Sequence, residues 1–193
     1  MTPSAGSPAA PRPTATASPL AYPLDDFYAQ ASLPFPRIES VLGEQVPEPY
    51  RSLLVHNQDM TPTLEKFHGG PIHLRVLRRQ KRGDIYFREV VLELEEGEKP
   101  VEFGAIKINL TLFLPAARQL ILGERLPLGH ILETCTVPHT SRPKAFLRIE
   151  SDEFINSALK LSHPHQLYGR RNTLMDPLHR PLAEIVEILP PAG

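Results

Sequence analysis

The sequence predicts an α+β domain built on a six-stranded antiparallel sheet. Three strand-like runs follow one another directly and are joined by KRGD and EEGEKP, both hairpin-forming segments. Most helical signals come as insertions after these runs, whereas a parallel doubly wound sheet requires strict strand–helix alternation. No internal repeat is visible.

Residues 1–23 are Pro, Ala, Ser and Thr almost throughout, with Arg12 as the one charge before Asp25. Such a segment buries too little apolar area to offset ordering, so a disordered tail is expected there and a single domain over 24–193. Residues 24–48 carry Phe27, Tyr28, Phe35, Ile38, Val41 and Leu42 among prolines, and read as short helical or irregular pieces. In PYRSLLVHNQ, Tyr50, Leu53, Leu54 and Asn57 recur at helical spacing. DMTPTLEKFHGG starts a second short helix, with Thr61 as N-cap, Pro62 at the first helical position and Gly69-Gly70 as terminator.

The three strands are predicted over 72–79, 85–95 and 101–110. LPAARQLILGERLPLGHILE then reads as two short helices around Gly123, with Leu120, Ile121, Leu128, Ile131 and Leu132 facing inward. A strand over 145–150, a helix over 152–161 and strands over 167–175 and 182–189 complete the set.

Composition narrows the function classes. Lys and Arg total 21 against 22 Asp and Glu, and a formal charge of −1 supplies no field for gripping nucleic acid or an anionic membrane. Cys135 is the sole cysteine, so no internal disulfide forms, and no apolar tract is long enough to span a bilayer. Without a secretory or transit signature at the N-terminus, the expectation is a cytoplasmic monomer.

The informative local feature is IYFREVVLELE. Alternation puts Arg88 on one face with Tyr86, Val90, Leu92 and Leu94, leaving Phe87, Glu89, Val91 and Glu93 on the other. A guanidinium stays charged at physiological pH, so Arg88 in an apolar wall requires a carboxylate, supplied either by the protein as a buried ion pair or by a ligand. PLAEIVEILP is apolar on both faces, which marks a central strand, yet it carries Glu184 on one face and Glu187, with Ala183 and Ile185, on the other. Lys107 shares a face with Val101, Phe103 and Ala105. Arg, Glu and Lys converging on a greasy sheet suit an anionic, partly apolar small molecule.

These motifs, from about Leu53 to Pro190, resemble in order and spacing those of the chorismate pyruvate-lyase family. DMTPTLE is similar to the family's opening Met-Thr pair and implies a pocket-lining role for Met60. FREVVLE is similar to its carboxylate-binding strand and implies that role for Arg88. LPLGHIL resembles its PLG segment, whose leucine offers backbone to the ligand and is here Leu128. LYGRRNT resembles its aromatic-Gly-Arg-Arg segment, which brings Arg170 to the site, and RPLAEIVEILP its closing strand, whose glutamate would be Glu187, or Glu184 if the register slips by one. Where members often carry Gly-Arg this chain has Gly104-Ala105, leaving Lys107 as the candidate to replace a second arginine.

The resemblance implies a chorismate lyase-like sheet whose helices cover an internal pocket. It also implies a cofactor-independent lyase that releases pyruvate from chorismate to give 4-hydroxybenzoate, or a close variant giving another hydroxybenzoate, in aromatic or ubiquinone biosynthesis. Arg88 and Glu187 would then be catalytic, with Met60, Leu128, Lys107, Gly104 and Arg170 contacting substrate, and Glu187 would need a raised pKa to donate a proton. The alternative is a non-catalytic domain of the same fold that binds a small aromatic carboxylate, as some transcription regulators use. No metal is expected, because the spacing of His56, Asp59 and His68 fits no zinc pattern and His163 and His165 lie in a loop. Cys135 has no adjacent base and reads as an idle thiol.

Overall fold

The structure, a computed structural model, describes residues 20–192. Most of the expected tail lies outside the described residues. Residues 20–23 form a turn, with Ala21 buried, that leads into α1 (Leu24–Gln30).

One antiparallel sheet organises the chain. Its strands are β1 (Ile38–Val41), β2 (Ile72–Arg82), β3 (Ile85–Leu94), β4 (Pro100–Asn109), β5 (Thr140–Glu150), β6 (Gln166–Met175) and β7 (Pro181–Leu189). They lie in the order β1-β5-β6-β7-β4-β3-β2, so there are seven strands and not the six expected. The added one is β1, a four-residue edge strand on β5. Too short to show alternation among prolines, it reads as irregular chain, and short edge strands of this kind limit unwanted pairing. As its two-sided apolar pattern predicts, β7 sits in the middle. Gly83 and Gly97, at φ of 60° and 76°, turn the two hairpins that join β2, β3 and β4.

Both faces of the sheet are covered. On one, α1 and α6 (Glu153–Leu159) pack Phe27, Tyr28, Ile155 and Leu159 against Phe87, Val91, Phe103 and Val186. The other face carries two separate clusters. One joins α2 (Tyr50–Leu54) and α3 (Met60–His68) to Leu74, Val90 and Leu92, and the other joins α4 (Pro115–Gly123) and α5 (Leu128–Thr134) to Ile106, Leu174 and Ala183. Each fully buried Leu, Ile or Phe contributes about 1.5–3 kcal/mol by leaving water. The seam between these two clusters is where an enclosed space can persist.

Local chemistry shifts two boundaries. The second predicted helix begins at Met60, not beyond Thr61, with Asp59 at its N-cap position. Pro62 is tolerated there because the first helical N–H groups have no intrahelical partner. Gly69, in the left-handed conformation at φ 69°, ends the helix as expected. In α4 the inward residues are Ala117 and Ile121, whereas Leu120, expected inside, is more than one-third exposed.

Candidate functional site

The seam holds a cavity floored by β3, β4, β7 and β6 and roofed by the start of α3 and by α5 with the proline before it. It offers about 60 Å³ to the centre of a water molecule, several times what one buried water needs. The roof is tight, because a Cβ added at Gly129 on α5 would fall 3.0 Å from Thr61 Cβ and 2.9 Å from its Oγ1 on α3. Glycine at this position lets the two helices meet.

Strand register arranges the floor in rows. Arg88 stands opposite Ile106, Ile106 opposite Ile185, and Ile185 opposite Asn172. Two residues along, Val90, Gly104, Glu187 and Arg170 form the next row. Leu92 and Glu102 pair in the third, after which Val101 is skipped by a β-bulge. All of these residues except Arg170 and Val101 border the cavity.

Arg88 is only 1% exposed, and its Nε and Nη1 are buried without a hydrogen-bond partner. It has no ion pair among the described residues. Burial pushes its pKa down to about 10, with the charge and hydroxyl of nearby Glu124 and Tyr86 opposing that shift, so it remains a cation at neutral pH. Glu124 is already engaged, accepting from Tyr86 Oη and from Arg79 Nη1, the latter at 2.5 Å. Three buried carboxylates of the sheet are matched. Glu89 accepts from Arg78 Nε at 2.6 Å, Glu93 from Arg75 Nη2 at 3.0 Å, and Glu187 from Arg170 Nε.

Met60, Arg88, Gly104, Leu128 and Glu187 thus line one cavity. Two expected contacts do not. Lys107 lies on the opposite face of β4, where it pairs with Glu184 directly across on β7 at 2.8 Å. Both faces of β4 are buried, so alternation placed Lys107 with Phe103 and Ala105 correctly but could not tell which face holds the cavity. Glu184, the alternative to Glu187, is turned away with it. Arg170 is completely buried behind Glu187, and its Nη1 and Nη2 donate to the carbonyls of His56 and Gln58 at 3.2 and 3.0 Å. It holds Glu187 in place from outside the cavity wall.

Two buried polar residues of the cavity escaped the sequence reading. Glu102, 5% exposed, has an Oε2 buried without a partner. Burial, reinforced by the charge of Glu187, holds its pKa well above the usual carboxylate range, against a smaller opposing pull from Arg170. Its signal was the face Glu102–Gly104–Ile106–Ile108, a charge on an otherwise apolar row, masked because Glu102 follows the acidic hairpin EEGEKP. Asn172 is the other, with Nδ2 donating to Ser141 Oγ at 2.8 Å and Oδ1 buried and unpartnered.

Among the described residues no three or more His, Cys, Asp or Glu gather to hold a metal ion, and no helix is long and apolar enough to cross a membrane.

No protein-family model matches the chain, and no curated protein matches it in sequence. Solved structures share its fold. The effector domain of PhnF from Mycobacterium smegmatis superimposes with a TM-score of 0.51 at 10% identity, covering 68% of this chain and 87% of that one. Intact PhnF gives a TM-score of 0.53 at 11% identity, with 68% of this chain covered but only 63% of PhnF. The gene product SA0254 from Staphylococcus aureus N315 gives 0.50 at 9% identity, covering 62% and 82%. The expected assignment as a lyase is corrected by these findings: of the three structures, the one named by its role is an effector domain.

Proposed function

We propose that this chain is a binding domain that takes a small, partly apolar carboxylate, an aromatic one above all, into the cavity between the sheet and the α3–α5 roof. One observation carries this reading: Arg88 is a buried cation at the wall of an apolar cavity with two unpartnered nitrogens, Nε and Nη1. An isolated buried charge costs several kcal/mol, and a planar guanidinium matches a carboxylate in shape as well as charge. Val90, Leu92, Ile106, Leu128 and Leu132 suit the flat apolar body of a ring. That the fold is shared with a domain named for an effector supports a binding role.

The test is calorimetric titration of the full chain with benzoate and with benzamide, which keeps the ring and removes the charge. Benzoate should bind more tightly, and Arg88→Met should weaken it roughly 10- to 100-fold, the range for a lost charge-assisted hydrogen-bonded contact. Equal affinity for the two compounds, or an Arg88→Met protein that binds benzoate like the parent, would contradict the proposal.

A further inference from the structure

We infer that Glu102 is the second recognition group of this cavity, a neutral carboxylic acid that donates a hydrogen bond to an oxygen acceptor on the ligand at the end remote from its carboxylate. The inference rests on the carboxylate-binding reading of Arg88 and specifies the other pole of the same ligand.

The placement is geometric. Glu102 and Ile106, the partner of Arg88, are four residues apart on β4, about 13 Å along an extended strand. Arg88 and Glu102 therefore mark opposite ends of the floor. Between them lies Gly104, which puts no side chain into the gap. A methyl group there would stand 3.5 Å from Glu102 Oε1 and would collide with Val186 O at 2.6 Å. The floor thus has an anion-binding end, an open middle and a buried carboxyl whose Oε2 has no partner among the described residues.

The protonation state follows from the neighbours. The charged side chains bordering the cavity are Asp59 on the α3 side, Arg88 on β3, and Glu102 and Glu187 on β4 and β7, with Arg170 on β6 behind Glu187. Asp59 is engaged by His139 at 2.8 Å and Glu187 by Arg170. Two neighbouring buried carboxyls cannot both ionise cheaply, and the guanidinium is bonded to Glu187. Glu102 keeps the proton, which burial also favours. A carboxylic acid offers one O–H donor, so the complementary ligand atom is a carbonyl, ether or hydroxyl oxygen and not an ammonium.

Three probes separate the possibilities: benzoate, 4-formylbenzoate, whose second oxygen accepts but cannot donate, and 4-(aminomethyl)benzoate, whose ammonium donates but cannot accept. In titrations of the full chain at pH 6, 4-formylbenzoate should bind about five- to tenfold more tightly than benzoate, as one added neutral hydrogen bond permits, and 4-(aminomethyl)benzoate should bind most weakly. Glu102→Gln keeps a donor and should retain the preference for 4-formylbenzoate over benzoate. Glu102→Leu should reduce that ratio to about one. Because only protonated Glu102 donates, the ratio should fall as pH rises through its raised pKa and stay flat in Glu102→Gln. A ratio of one in the parent protein, a preference that survives in Glu102→Leu, or strongest binding of the ammonium compound would overturn the inference while leaving the role of Arg88 standing. If none of the three binds, the carboxylate reading itself fails and this inference with it.

Discussion

Moving a guanidinium into an apolar wall without an anion costs free energy that the ligand-free fold must absorb. Arg88 and Glu187 should therefore respond in opposite ways to loss of charge. Arg88→Met fills a similar volume and removes an unpartnered cation, so the ligand-free protein should become more stable by about 1–3 kcal/mol. Glu187→Gln strands Arg170, which is completely buried, and should destabilise by about 3–5 kcal/mol. Urea unfolding of both variants checks this, and destabilisation by Arg88→Met would mean that the protein itself neutralises Arg88. Arg88 was legible because one charge interrupts the apolar face of a ten-residue strand. Lys107 misled because alternation assigns faces but does not say which of two buried faces contains a cavity. Glu102 obeyed the same rule as Arg88 and was overlooked beside an exposed acidic turn.

At the scale of elements, the roof is held at its edges. Asp59 caps the start of α3 by position alone, since its carboxylate makes no N-cap hydrogen bond and instead accepts from His139 Nε2. His139 Nδ1 faces Val137 O at 2.8 Å. With an acceptor at each ring nitrogen the imidazolium form is the one that satisfies both, and the hydrogen bond His139 donates to Asp59 raises its pKa, with burial opposing. A histidine pKa raised by folding stabilises fully below the unfolded value, near 6.5, and that contribution is lost as pH rises through the folded value. The difference in unfolding free energy between the parent and His139→Gln should therefore be largest below pH 6.5 and shrink at higher pH. A difference that grows with pH would show that His139 is held neutral. This tie joins residues 80 apart, and nothing in local sequence pattern reveals it. Helix existence was legible from α2 onward, while the start of α3 was misplaced because Thr61, a good N-cap by residue type, is used to pack against Gly129.

At the scale of the molecule, hairpin signals and the two-sided apolar run of β7 gave the antiparallel sheet and its centre, and only the short edge strand β1 went unread. Motifs in register from Leu53 to Pro190 located five of the cavity's residues. They did not fix the chemistry, because a fold positions side chains without dictating a reaction, and the comparisons set this sheet beside an effector domain. What the arrangement supports is a mostly apolar cavity with an unmatched cation at one end and a buried carboxylic acid at the other. The most direct measurement is a crystal structure of the full chain grown with benzoate. The ligand carboxylate should lie within hydrogen-bond distance of the Arg88 guanidinium, with its ring between Gly104 and Leu128. Benzoate seated elsewhere, or a cavity in which Arg88 has turned to a protein carboxylate, would contradict it.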